Sequence, residues 1–302
     1  MPVMPVEAAA SRPAPAALEI AAVAAEMVAC GSLEMGADTP EDARRIAELL
    51  PAGTPVYVNH LPRHNLEHTL KALIALREAN LEPVPHVAVR RISSREEARS
   101  FLEKAVRLAG VAKVLLIGGD IPTPVGPYAE GAGLLREEFL AGCGLSQVAL
   151  PGYPEGHPRI PTATLNAALE EKLALARRLG LSASIVTQFS FAPNRIVEYC
   201  SDIARRAPDV PVYVGLAGPT SPVSLLRYAQ RCGVGASLRA LQQEGMRAVR
   251  LVTHVDPTEQ LMALARRSHT GTARNVVGVH LYSFGGVART AYWMNERITA
   301  RG

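Results

Sequence analysis

A chain of 302 residues with 48% hydrophobic and 20% charged side chains holds enough apolar material for one large core, and a net charge of +4 is too mild to demand a polyanionic partner. Aromatic residues make up only 5%, with a single Trp, which argues against a surface that stacks successive bases; no nucleic-acid partner is expected. The four cysteines, Cys30, Cys143, Cys200 and Cys232, lie too far apart for a disulfide framework or a zinc site, and no apolar run approaches the roughly 18 residues of a membrane span, so a cytoplasmic location without membrane contact is expected.

In chain order, Met1–Ala17 is rich in Ala and Pro and lacks a basic stretch ahead of an apolar core. It reads as a disordered tail, which leaves residues 18–302 as a single domain. Eight strand-like runs follow: Val28–Glu34, Pro55–Asn59, Val84–Val89, Lys113–Gly118, Gln147–Leu150, Ala183–Gln188, Pro211–Gly215 and Val276–Tyr282. Between them the apolar spacing is helical, as in Leu66, Leu70, Leu73 and Ile74, or Leu169, Leu173, Leu175 and Leu179. Eight repeats of strand then helix predict an α/β fold, the (β/α)8 TIM barrel.

Local signals agree. Thr39-Pro40-Glu41-Asp42 reads as a helix start with Pro at the first position, Ser94 to Glu97 as a capping box, and Gly110 and Gly180 as helix C-terminal glycines. Gly233–Gly271 is longer than one unit needs and predicts an extra helix, Ser237–Glu244, before the last strand. The arginine pairs Arg90/Arg91, Arg177/Arg178, Arg205/Arg206 and Arg266/Arg267 read mostly as solvated helix faces.

Barrels of this class keep their chemistry in the loops after the strands. Those loops carry Glu34, His86, Asp120, Tyr153, Glu155, His157, Gln188 and Tyr282. A lone acid there is often a helix cap, but two acids at strand ends beside His and Gln point to proton transfer and charge stabilisation. His60, His64 and His68 form an H-x3-H-x3-H ladder, yet Glu67 does not share their helix face, and no metal site is expected. Gly118-Gly119 is not a phosphate loop, because no G-K-[ST] or G-x-G-x-x-G follows.

The blocks I-G-G-D-I-P (117–122), P-G-Y-P-E-G-H-P (151–158), I-V-T-Q-F-S-F (185–191), G-L-A-G-P-T-S (215–221) and G-V-H-L-Y-S-F (278–284) resemble the bacterial 5,10-methylenetetrahydrofolate reductases, in their order and over nearly the whole folded chain. The resemblance implies a barrel enzyme of one-carbon metabolism and methionine biosynthesis. Such an enzyme passes hydride from NADH or NADPH to FAD, and from reduced flavin to the folate. It implies Glu34 as general acid, and Asp120 as the group that contacts folate and tunes the flavin. Gln188 would serve folate and nicotinamide in turn. His86, Gly119, Tyr153, His157 and Arg177 would lie by the flavin, and Phe191 and Tyr282 by the substrate. A homo-oligomer is expected, without the regulatory domain of larger relatives and hence without adenosylmethionine feedback.

The chemistry suits these residue types. Reduction of the methylene bridge requires the folate's five-membered ring to open, and a buried carboxylic acid with a raised pKa can protonate the leaving nitrogen. The departures from the resemblance gather around the flavin. Met35-Gly36-Ala37-Asp38 stands where F-F-P-P is expected, and Gly118 stands where an arginine is expected. Three routes therefore stay open: flavin-dependent reduction, direct hydride transfer from NADH or NADPH, and a folate-binding barrel without redox chemistry, either a noncatalytic partner subunit or one that moves a one-carbon unit.

Overall fold

Strand β1, Ser32–Met35, shows how the sequence sets the layers. Its alternation sends Ser32 and Glu34 into the barrel, where they meet histidines of other strands, and Leu33 and Met35 outward into the helix-facing core. A computed structural model describes residues 15–60, 65–231, 234, 256–269 and 274–300. Parallel strands close a single ring in chain order: β1, β2 (Pro55–Val58), β3 (Glu82–Ala88), β4 (Lys113–Ile117), β5 (Gln147–Gly152), β6 (Ser182–Thr187), β7 (Val212–Ala217) and β8 (Val276–Tyr282). β8 pairs back onto β1, Ser32 opposite His280. The chain is a (β/α)8 TIM barrel, as its alternation predicts.

The helices of the outer layer are α1 (Pro15–Ala29), α2 (Asp42–Ala47), α3 (Leu66–Glu78), α4 (Arg95–Ala109), α5 (Gly131–Leu135), α6 (Thr162–Arg178), α7 (Pro193–Arg206), α8 (Pro222–Arg231), α9 (Thr258–His269) and α10 (Val287–Thr299). Ser94 caps α4 by accepting from Glu97 N at 3.0 Å, while Glu97 reaches back to Ser93 N; Gly110 ends the helix at φ 59°. The start of α2 differs from expectation. Pro40 lies in the turn before it and the helix opens at Asp42.

The first strand is shorter than its sequence suggests. Val28 and Ala29 belong to α1, which packs against β8, α9 and α10, and it takes in Pro15, Ala16 and Ala17 at its other end. The apolar run crosses two elements, and Gly31 marks the break: a Cβ there would lie 2.7 Å from Val279 O and 2.8 Å from Val28 O. The expected helix Ser237–Glu244, residues 1–14 of the expected tail, and His64 lie outside the described residues.

Inside the barrel, Tyr57, Val84, Leu115, Ala149 and Val186 form a layer flanked by Ile117 and Tyr213. Barrel interiors are normally filled by branched aliphatic side chains. Here Ser32, Glu34, His86, Ser184 and His280 share that interior. So much polar content in a buried space calls for a purpose.

Candidate active site

β1 and β2 bring Glu34 and Asn59 together at the C-terminal mouth of the barrel, with Glu34 beside Tyr57 in the strand register. Asn59 Nδ2 donates to Glu34 Oε1 at 3.0 Å, and β3 places His86 Nε2 4.0 Å from Glu34 Oε2. The Glu34 side chain is 17% exposed. Burial pushes its carboxyl up to about 7, outweighing the Asn59 bond, which favours the ionised form. A carboxyl in this state keeps its proton near neutrality and can still give it up.

The imidazole beside it has the opposite bias. Burial, and after it the charge of His60, pushes His86 down to about 3, and its Nε2 has no hydrogen-bond partner. Deeper along the same interior, His280 shares a 2.8 Å hydrogen bond through Nδ1 with Ser32 Oγ and stands edge-on to Tyr57 at 4.7 Å. Burial, then His86, lowers His280 to about 3 as well. Both rings are neutral across the working pH range. A neutral imidazole with so low a pKa leaves the proton on the Glu34 carboxyl 4.0 Å away.

The turn after β4 presents Asp120, which is 51% exposed. Gly119 makes this turn at φ 101°, and a Cβ there would press on Ala88 at 3.4 Å. Arg91, in the short 3-10 turn Val89–Arg91 after β3, donates to Asp120 Oδ1 at 2.5 Å and is only 14% exposed. The expectation of a solvated helix face fails for this residue. Its neighbour Arg90 is also committed, donating to the carbonyls of Pro122 and Ala129.

Tyr153 and His157 follow β5 and meet edge to face at 5.6 Å; His157 Nδ1 accepts from Arg159 N at 3.2 Å, and Glu155 lies half-buried between them in sequence. Gln188 follows β6, and its Oε1 accepts from Phe189 N at 3.1 Å. Tyr282, at the end of β8, reaches across β7 and donates to Thr187 O at 3.0 Å. Gly215 makes that crossing possible: a Cβ there would lie 2.2 Å from Thr187 O and 2.8 Å from the Tyr282 ring. Gly215→Ala is therefore expected to displace Tyr282 and cost about 1–3 kcal/mol in a denaturant titration, as overpacking does.

Phe191 is buried against Phe189 at 5.9 Å, within an aromatic cluster that includes Tyr228, Tyr282 and Phe284. Phe284 holds a left-handed backbone at φ 47°, uncommon for a bulky residue, and stacks on Tyr228 at 4.7 Å.

The barrel thus gathers Glu34, His86, Asp120, Tyr153, His157, Gln188 and Tyr282 at its C-terminal end. Arg177 is not among them. It is exposed in the last turn of α6, which leads through Gly180 into the N-terminal end of β6, a strand's length from Gln188. Of the histidine ladder, His68 sits on α3 and bonds Asn65. Among the described residues no three His, Cys, Asp or Glu side chains converge as metal ligands, and no helix is long and apolar enough to cross a membrane.

Asn59, Arg91 and His280 carry this geometry without having been singled out in the sequence. For His280 a signal existed: the alternation Val279-His280-Leu281-Tyr282 sets the imidazole on the inward face.

Among solved structures, the chain is similar to 3-dehydroquinate dehydratase from Geobacillus kaustophilus HTA426, with 15% identity, 63% of this chain and 74% of that chain covered, and a TM-score of 0.39. For Yersinia pestis DHPS with a pterine-sulfa conjugate the values are 13%, 91%, 95% and 0.46. For D-psicose 3-epimerase in the presence of D-fructose they are 13%, 90%, 96% and 0.42. No family model matches the chain. Among curated proteins, it is 27% identical over 130 residues to Methylenetetrahydrofolate reductase 2 of Saccharomyces cerevisiae (strain ATCC 204508 / S288c), a match that spans 40% of this chain and 21% of the yeast protein.

Proposed function

We propose that this chain reduces 5,10-methylenetetrahydrofolate to 5-methyltetrahydrofolate, with hydride taken directly from NADH or NADPH and a proton supplied by Glu34. The observation that carries the reading is the carboxyl of Glu34, buried at the barrel mouth with a pKa near 7 and bonded by Asn59. The partial likeness to the yeast reductase supports the same substrate class.

The proton on Glu34 goes to the leaving nitrogen of the five-membered ring. The carbon–nitrogen bond breaks, and the methylene carbon becomes an iminium ion. Hydride from the dihydronicotinamide then completes the methyl group, leaving NAD(P)+ and an ionised Glu34. The Glu34 side chain, 17% exposed at the mouth, then regains its proton from solvent. Asp120 and Gln188 offer the acceptor and donor groups that a pterin edge requires.

The described residues do not fit a flavin dinucleotide well. A cation facing its diphosphate is wanted near Gly118 and Gly119, but Gly118 has no side chain and Arg90 is already engaged with the carbonyls of Pro122 and Ala129. Arg177 lies at the other end of the barrel.

Purified protein incubated with 5,10-methylenetetrahydrofolate and either nicotinamide cofactor tests the reading, with 5-methyltetrahydrofolate followed by chromatography. Colourless protein that forms this product is the expected result. A yellow preparation with an oxidised-flavin spectrum would restore the flavin route, and absence of product with either reductant would remove the reductase assignment.

A further inference from the structure

The segment after β3 holds the loop after β4 by two separate sets of contacts. Arg90 donates through its guanidinium to Pro122 O and Ala129 O, and its own carbonyl accepts from Val125 N at 2.8 Å. Gly126 lies so close beneath that a Cβ would stand 2.4 Å from the carbonyl oxygens of Ile92 and Ser93. These contacts fix the loop without Arg91. The Arg91 guanidinium does something else: it sits on the carboxylate of Asp120, whose half-exposed position faces the mouth where a ligand arrives.

A 2-amino-4-oxopterin presents its ring N3–H and its 2-amino group side by side on one carbon. That is the donor fork of a guanidinium, and a carboxylate accepts either fork through two parallel hydrogen bonds. We infer that Arg91 is an internal occupant of the pterin subsite, a latch on Asp120 that the pterin's guanidine-like edge displaces. The inference rests on the folate reading above and deepens it by naming the group that competes with substrate.

Several consequences follow from the geometry. Apparent folate affinity is lowered by the fraction of molecules in which Arg91 holds Asp120. Without ligand, the carboxylate is kept paired rather than left as a bare charge beside buried residues. Because Arg90 and Gly126 secure the loop independently, release of Arg91 need not unfasten it. Selectivity is built in as well: Arg91 holds Asp120 by one hydrogen bond, through Nη2, and the pterin edge offers two, an advantage that a ligand without the amino donor forfeits.

Calorimetric titration of 5-methyltetrahydrofolate into wild type, Arg91→Met and Arg91→Lys tests the latch, with the 2-desamino analogue as the second ligand. Arg91→Met is expected to bind 5-methyltetrahydrofolate about tenfold more tightly than wild type, the scale of one charged hydrogen bond. Arg91→Lys, which keeps a charge able to pair with Asp120, gains less. The gain disappears with the 2-desamino analogue, a dependence that a merely structural arginine would not produce. Should Arg91→Met fail to fold, Arg91→Lys carries the same comparison. Binding by wild type with no gain in the variants, or an equal gain for both ligands, overturns the latch and leaves the folate reading standing. If neither wild type nor variants bind 5-methyltetrahydrofolate, both fall together.

Discussion

Replacing Glu34 with Gln is expected to lower turnover of 5,10-methylenetetrahydrofolate by ~10²–10⁴-fold, the range a positioned general acid contributes. Gln preserves the size of the side chain and an oxygen able to accept from Asn59 Nδ2, so the fold and the shape of the pocket survive. What it removes is the one proton that burial holds on this carboxyl up to a pKa of about 7. The pH profile of wild-type kcat/KM adds an independent reading of the same group. Donation requires protonated Glu34, so kcat/KM stays level below pH 7 and falls with rising pH above it. His86 and His280, with pKa values near 3, contribute no limb between there and neutrality. An E34Q enzyme that kept full turnover, or a wild-type profile that stayed flat well above pH 7, would remove Glu34 from the proton-donor role.

The barrel was legible because its signal is repeated. Each strand is an apolar run followed by helical spacing, and an error at one boundary does not disturb the other seven. The first strand shows the limit: Val28 and Ala29 continue an apolar run from helix to turn, and composition alone does not reveal where Gly31 bends the chain. The acids were legible for a related reason, since a carboxylate directly after a buried strand lands on a known face of the barrel. Their partners were not. Asn59 and Arg91 reach Glu34 and Asp120 from neighbouring strands, so the pairing exists only once β1 lies on β2 and β3 on β4. Arg91 in particular looks like its neighbour Arg90 and like the other arginine pairs of the chain; three-dimensional placement separates them. Arg177 fails in the opposite way. It lies only eleven residues before Gln188 in the chain, but β6 runs between them and sets the two at opposite ends of the barrel.

The raised pKa of Glu34 has a second consequence, in stability rather than rate. Its carboxyl titrates near 4.5 when exposed and near 7 in the folded protein, so the folded state binds the proton more tightly. Below pH 4.5 the group is protonated in both states and contributes nothing; as pH rises from 4.5 to 7 stability is lost, and above 7 the full penalty of about 3 kcal/mol applies. His86 and His280 act with the opposite sign. Their folded pKa values are lowered, so they favour the native state above pH 6.5 and that contribution is lost as pH falls toward 3. A single melting curve mixes these effects, but the difference between E34Q and wild type does not, because both proteins keep the two histidines. Urea titrations are expected to show E34Q gaining stability over wild type as pH is raised from 4.5 past 7, with the gain approaching about 3 kcal/mol at the alkaline end. The inactive variant is then the more stable protein, as expected where a buried acid is kept for chemistry at the expense of stability. A difference that stayed constant across this pH range would mean that Glu34 titrates as an ordinary exposed carboxyl. The physical basis for its role as proton donor would then be gone, whatever the activity of the variant.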